Sequence, residues 1–353
     1  MKILIPITYF APQGGFRVLS ELANHWIKLG HDVEFLVYKR SSGPAFPTTA
    51  KLTWYDNEGK IILQNDVNHK PPRLRIFSIL LALKRAINTS SYDIILATQS
   101  LTAFPVYFSK RCDKKYYYIQ AYEPEYYQTN SASSVLLKCL SKLSYKIKLL
   151  RIVNSPLYFD YKQIKANKFV FPGIDFTKFK PQPKTTDKKF IIGCIGRIEP
   201  FKGTAYVLEA YSKLKNDSGL DIELHIAFGD RALESIEGVK VIRIKNDDEL
   251  AKYYNSVNVI IAPGTIQLGA VHYPVIEAMA CKTPVITTGY YPANADNAWI
   301  VPIKNSDSIV EAVKYIIDDP DSVNRKIEEG YSQIQEFDWN IVSKKMLAYF
   351  DSN

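Results

Sequence analysis

The sequence is short of the residues that mark several protein classes. It has only four cysteines, Cys112, Cys139, Cys194 and Cys281. They stand far apart with no C-x-x-C pair, which argues against a disulfide scaffold or a zinc site and fits a reducing cytoplasm. No apolar run approaches the ~18 residues of a membrane span. The longest candidate, Ile76 to Leu83, is interrupted by Ser78 and ends at Lys84 and Arg85. The start, MKILIPITYFAPQGG, lacks the form of a secretory leader, because a short apolar stretch runs directly into a glycine-bearing loop. The only D-x-D is Asp319-Pro320-Asp321, between two late helical patterns, where helix capping is its plain role. No metal and no other cofactor is therefore expected. RRM, KH and helix-turn-helix signatures are also missing, which argues against a nucleic-acid partner.

What is present is a globular balance: 46% hydrophobic and 23% charged residues, with 16 Gly and 19 Pro. A length of 353 residues suggests two domains, at roughly 100–200 residues each. The net charge of +9 is unevenly divided. Residues 1–171 carry 24 Lys and Arg against 11 Asp and Glu, whereas residues 172–353 carry 21 against 25. A basic first half points to an anionic partner, whether nucleic acid, a phosphorylated lipid carrier or an acidic membrane surface; a solvated lysine-rich face is the plainer alternative. One segment bears on this choice. Lys138, Lys142 and Lys146 recur every four residues and form a stripe on a helix, beside Val135, Leu136, Cys139, Leu140, Leu143, Ile147 and Leu150. Such a basic amphipathic helix suits a membrane surface, or a core-packed helix whose lysines reach water. Arg73 and Arg75 with Lys84 and Arg85 bracket a second segment of this kind.

Short apolar runs alternate with helical patterns along both halves. In the first, strands are expected at 3–7, 33–37, 93–97, 116–120, 151–154 and 169–171. Helices are expected at 18–29, 74–88, 101–110, 134–149 and 156–165, with Gly30 as the first helix's C-cap. The stretch 40–60 reads as a long loop with a small hairpin. Residues 172–188, PGIDFTKFKPQPKTTDK, hold three prolines and little periodicity, and read as a linker. The second half resumes with strands at 190–195, 222–227, 239–242, 257–262, 284–288 and 299–301. Its helices are expected at 203–215, 247–255, 274–281, 307–318, 321–335 and 339–350. The expected architecture is α/β, with two Rossmann-like doubly wound parallel-sheet domains at 1–171 and 189–336. A site is expected in the cleft between them, at the carboxyl ends of the strands.

Three segments carry candidate chemistry. Gly14 and Gly15 follow the first strand and open the first helix, where backbone N–H groups can approach a phosphate and Arg17 adds a cation. A Gly-Gly turn also starts many helices, and the third glycine of the dinucleotide fingerprint and a P-loop lysine are both missing. Gly196-Arg197 and Lys202-Gly203 place two cations and two glycines in one strand-to-helix loop. Such a loop can stabilise a departing nucleoside diphosphate without a metal. In HYPVIEAMACKTPVI, residues 272–286, Pro274 suits a first helical position. Glu277 is expected in the first turn, where it can accept from two vicinal hydroxyls, as of a ribose, or act as a stabilising carboxylate at a helix N-terminus.

Together these segments resemble a GT-B glycosyltransferase of family 4. The resemblance covers most of the chain, most weakly around 40–75. It rests on the Gly14-Gly15 loop, GRIEPFKG at 196–203, PGIDFTKF in the linker, EAMACKTPVI, and the terminal FDWNIVSKKML. It implies that Arg197 and Lys202 hold the donor pyrophosphate, that Glu277 holds the ribose, and that Gly15 meets the donor phosphate or sugar. It also implies that residues 337–353 form a helix crossing back to the first domain.

Two departures from the family stand out. Its second glutamate, eight positions before Glu277, is Gly269 here, and its catalytic histidine after the strand at 116–120 is Gln120. Both resemble the rhamnan-synthesis-type rhamnosyltransferases, through Gln120 with Glu123-Pro124 and through Tyr273-Pro274 with Glu277. That subgroup implies L-rhamnose from a dTDP-linked donor. Glu123 is the candidate acceptor-side base or sugar-binding group, unless the Glu-Pro pair only fixes the loop. His272, beside Tyr273, is a candidate contact for the donor sugar.

The reading that follows is metal-independent transfer of a sugar, rhamnose for preference, onto a bacterial surface polysaccharide or a lipid-linked oligosaccharide. The enzyme would be cytoplasmic and peripheral on the inner face of the plasma membrane, its basic half facing anionic lipid. The alternatives are a UDP- or GDP-sugar donor, a nucleotide-sugar epimerase that needs no acceptor, a non-catalytic basic binding protein, and a degenerate transferase that binds without turnover.

Overall fold

A computed structural model of the chain describes residues 1–68, 75–112, 114–127, 129, 131–183, 189–196, 199–217 and 220–352. They fall into two compact units, Met1–Gly173 with Trp339–Asn353, and Ile174–Asp338.

The first unit is built on a seven-stranded sheet. Its strands are β1 (Lys2–Ile7), β2 (Asp32–Tyr38), β3 (Lys51–Tyr55), β4 (Ile61–Ile62), β5 (Ile94–Ala97), β6 (Lys114–Ile119) and β7 (Leu150–Val153), in the order β4-β3-β2-β1-β5-β6-β7. Every pairing is parallel except β3 with β4. Residues Ile3 to Ile7 of β1 are all buried, as the central strand of a parallel sheet covered on both faces requires. The helices are α1 (Gly14–Lys28), α2 (Arg75–Ile87), α3 (Ser100–Tyr107) and α4 (Ala132–Ser144). Right-handed crossovers leave β1 and β5 in opposite lateral directions, which places α1 and α3 on opposite faces. Helix α3 accordingly packs beside α2 and α4. Helix α1 buries Phe16, Leu19, Leu22, Ala23 and Trp26. It ends ahead of Gly30, whose φ of 86° supplies the left-handed turn.

The second unit repeats the plan with six parallel strands: β8 (Phe190–Ile195), β9 (Ile222–Ala227), β10 (Val239–Ile242), β11 (Val259–Ala262), β12 (Val285–Thr287) and β13 (Trp299–Ile300). Their order is β10-β9-β8-β11-β12-β13. Its helices are α5 (Thr204–Lys215), α6 (Asp247–Ser256), α7 (Tyr273–Ala280), α8 (Ser306–Asp318) and α9 (Pro320–Gln333). Asp319 caps α9 by accepting from Ser322 N at 3.0 Å, so the D-x-D serves as a cap. The last helix, α10 (Trp339–Asp351), belongs to the first unit. It packs on α1, where Trp26 Nε1 donates to Ser343 O at 3.2 Å and Phe350 meets the rings of Trp26 and Tyr116.

Several expectations change. The 40–60 loop contains a real parallel strand, β3, hydrogen-bonded to β2. The expected helix 156–165 is a single 3-10 turn, Pro156–Phe159, and the expected strand 169–171 is reduced to one bridge, Val153 to Phe169. The expected helix 134–149 stops at Ser144, so Lys146 lies in the following turn and off the stripe. Helix α4 is also turned the other way from an ordinary amphipathic helix. It buries Ser141 and Ser144, and leaves Val135 48%, Leu136 39% and Leu143 47% exposed beside the exposed Lys138 and Lys142.

Candidate functional site

In each sheet the strand order reverses next to the first strand of the unit, and in open α/β sheets ligands bind outside the carboxyl ends at such points. In the second unit this point lies between β8 and β11. The loop after β8 is held there by close packing. A Cβ on Gly196 would come within 2.7 Å of the Gly229 Cα, and one on Gly203 within 2.1 Å of Pro263 O. Gly203 also has φ 78°, so both its space and its backbone call for glycine. Thr265 N donates to Phe201 O at 2.9 Å, which ties the loop to the segment after β11. Lys202 ends the 3-10 turn Pro200–Lys202, immediately before α5. Gly203 is the N-cap residue of α5 and has no side chain of its own to cap the helix. The loop thus presents a lysine and a helix start together. Arg197, expected beside Lys202, lies outside the described residues.

His272 is the N-cap residue of α7 and stacks on Tyr290 at 4.5 Å between ring centroids. Tyr273 and Pro274 are the first two helical residues. Glu277 is therefore in the second turn of α7, not the first. It is 2% exposed, and its Oε2 accepts from the buried Tyr254 hydroxyl at 2.8 Å. A carboxylate held in place by a buried phenol fits a binding role better than a surface contribution to the helix dipole. Burial, followed by the neighbouring Glu277 charge, pushes the Tyr254 phenol well above its usual range and keeps it a proton donor. Gly269, where the family has its other glutamate, has φ 88°. A glutamate rarely adopts that backbone, so the departure extends beyond the side chain.

In the first unit the reversal lies between β1 and β5, and Thr8 Oγ1 donates across it to Gln99 Oε1 at 3.2 Å. Gly14 and Gly15 open α1, and Gln13 caps it with backbone only. Gln120, directly after β6, donates from Nε2 to Gly15 O at 3.3 Å, so Gly15 and Gln120 are brought together. Arg17 is 7% exposed in the first turn. Glu123 points inward: its carboxylate accepts from Ser100 N at 2.7 Å and from Ser100 Oγ at 2.5 Å, at the start of α3. Ser100 Oγ in turn meets Ser141 Oγ of α4 at 2.9 Å. Burial raises the Glu123 pKa, and the two bonds from Ser100 oppose the rise. These bonds tie the loop that carries Gln120 to the start of α3, as the loop-fixing alternative for Glu123 expects.

No sequence motif marks Tyr254, Tyr290 or Ser100. Each acts through a partner that only the fold brings near. Among the described residues no group of His, Cys, Asp and Glu side chains could hold a metal ion. No described helix is long and apolar enough to cross a membrane.

Residues 175–333 match the family model described as glycosyl transferases group 1. A protein named "Probable sucrose-phosphate synthase" from Thermosipho melanesiensis is 28% identical over 208 residues, covering 53% of this chain and 48% of that protein. The chain spans about half the length of the curated relatives it matches. Among solved structures, the sucrose-phosphate synthase of Thermosynechococcus elongatus superposes with a TM-score of 0.79 at 17% identity, covering 100% of this chain and 99% of that one. Anabaena Alr3699/HepE in complex with UDP gives 0.74 at 15% identity, with 100% of both chains covered. The chain has the GT-B fold, with two Rossmann-like units, and the match to the group 1 glycosyl transferase model lies within the second unit.

Proposed function

We propose that this chain is a glycosyltransferase that moves a hexosyl unit from a nucleoside diphosphate sugar to a saccharide acceptor. The observation that carries the reading is the β8–α5 loop. A lysine and the start of α5, whose N-cap is a glycine, sit at the strand-order reversal of the second unit, and the same unit carries the buried Glu277–Tyr254 pair. In this reading Lys202, with Arg197 as the second cation, stabilises the charge that develops on the leaving diphosphate. Glu277 accepts from sugar hydroxyls of the nucleoside, and His272 and Tyr273 face the donor sugar. Gly14, Gly15, Arg17 and Gln120 serve the acceptor-side unit, with Glu123 fixing the loop that carries Gln120. No step calls for a metal.

We further propose an L-rhamnosyl donor linked to dTDP, on the Gln120/Glu123-Pro124 and Tyr273-Pro274/Glu277 pattern. The acceptor would be a lipid-linked saccharide reached at an anionic membrane surface. The exposed leucines and lysines of α4 support the surface contact. An epimerase would need neither that surface nor an acceptor.

Thermal unfolding against dTDP, UDP, GDP and ADP, with and without magnesium, tests the donor site. A ligand at 100 times its Kd stabilises the fold by about 2.7 kcal/mol. A shift with dTDP alone, unaffected by magnesium, is expected. A shift confined to UDP or GDP keeps the transferase and removes the rhamnose donor, and no shift with any nucleotide overturns the donor site.

A further inference from the structure

The carboxyl ends of β1, β2 and β3 hold a second cluster that the donor chemistry does not use. Tyr9 follows β1, Tyr38 ends β2 and Tyr55 ends β3. Their rings form a chain, Tyr9 to Tyr38 at 5.6 Å and Tyr38 to Tyr55 at 5.5 Å. Arg40 stands two residues beyond β2. Arg75 opens α2, lies 5.6 Å from the Tyr9 ring centroid, and reaches the Tyr9 hydroxyl at 3.5 Å. Two polar atoms here are buried with no hydrogen-bond partner, Arg40 Nε and the hydroxyl of the fully buried Tyr55. Among the described residues neither arginine has a carboxylate partner. Asp56 is turned into its own loop and accepts from Glu58 N and Lys60 N at 2.9 Å each. Burial raises the Tyr38 phenol and Tyr9 raises it further, while Arg40 and Arg75 oppose the rise, and the Tyr38 hydroxyl donates to Asn57 Oδ1.

A buried donor with no acceptor costs about 1–3 kcal/mol. A guanidinium fork matches the paired oxygens of a phosphate. Tyrosine rings beside it offer the flat apolar surface on which a sugar ring packs, with hydroxyls at their edges.

We propose that the first unit holds an anion subsite at the carboxyl ends of β1–β3, in which Arg40 and Arg75 grip a phosphate group and Tyr9 packs against the sugar that bears it. The ligand is a phosphorylated saccharide. Naming it the acceptor rests on the glycosyltransferase reading, whereas the binding site itself does not. The phosphate belongs either to a water-soluble sugar phosphate or to the pyrophosphate of a lipid carrier, and both present the same oxygens to the arginines.

The test is calorimetry on the full chain with pyrophosphate, glucose 6-phosphate and glucose, plus sedimentation with phosphatidylcholine vesicles with and without polyprenyl diphosphate. Anion binding that drops at least tenfold in both Arg40→Gln and Arg75→Gln, with glucose alone failing to bind, is expected. Glucose 6-phosphate binding assigns a soluble ligand, and retention only on polyprenyl diphosphate vesicles assigns a lipid-borne one. Arg75 is exposed, so Arg75→Gln keeps the test intact if Arg40→Gln does not fold. The nucleotide-induced thermal shift is measured in the same variants. If it persists while the anion affinity falls, the two sites are separate. If no anion binds the natural chain, or both substitutions leave the affinity unchanged, the subsite is overturned, whatever the nucleotide result.

Discussion

Glu123 is a carboxyl group placed where its ionisation is opposed. Burial raises its pKa, and Ser100 supplies one backbone and one hydroxyl bond that only partly offset the rise. The folded chain therefore holds this proton at pH values where the unfolded chain has lost it. Its contribution to stability is fully present below the unfolded carboxyl pKa and is lost as pH rises through the folded one. Glutamine keeps the shape, accepts from Ser100 N and removes the titration. Glu123→Gln should flatten that part of the stability–pH curve, measured by urea midpoints from pH 4 upward. It should also retain turnover with an unchanged pH profile of kcat/KM, whereas Glu123→Ala should lose about 1–3 kcal/mol of stability and turnover with it. Loss of turnover in Glu123→Gln, with loss of the acid limb of the profile, would restore the acceptor base.

At the scale of the element, α4 is where sequence and structure diverge most usefully. The four-residue spacing of Lys138 and Lys142 was legible, and so was the apolar set beside them. Which face meets the core was not, because a helix with leucines on one side is ordinarily read as burying them. Here serines face inward, since Ser141 and Ser144 bond to Ser100 and Tyr117. Strands were legible where both faces are apolar, as in Phe190–Ile195, and where apolar and polar residues alternate, as in Ile222–Ala227. β3 was hidden because KLTWY mixes exposed and buried residues. The candidate loop at 196–203 was legible from its glycines and cations, but the Tyr254 partner of Glu277 was not, because a buried tyrosine has no period or motif to mark its bond. The inverted helix leads to a prediction. Leu136→Ser with Leu143→Ser should change folding stability by no more than about 0.5 kcal/mol, because both residues are exposed. The pair should nonetheless reduce retention on phosphatidylglycerol vesicles in a flotation assay. Lys138→Glu with Lys142→Glu should reduce it most at low salt. Lost stability with unchanged retention would mean that α4 is covered by protein, not lipid.

At the scale of the whole molecule, the chain returns to its first unit after completing its second. Trp339 sits where a Cβ on Gly173 would come within 2.3 Å of its ring. Met346 and Phe350 are fully buried. Tyr116 and Lys114 of β6 donate to the carbonyls of Tyr349 at 2.9 Å and of Phe350 at 3.1 Å. The last thirteen helical residues thus complete a core whose other parts lie more than 150 residues earlier in the chain. Replacing a buried phenylalanine by alanine costs about 3–5 kcal/mol. Phe350→Ala should spend that loss on the first unit, although residue 350 follows the second unit directly in sequence. Hydrogen exchange resolved by peptide should show faster exchange through β1, β5, β6 and α1. The slow amides of β8, β9 and β11 should be unchanged, as should the nucleotide-induced thermal shift. Equal loss of protection across 174–338 would show that the two units open as one, and that the discontinuous core is not the one Phe350 supports.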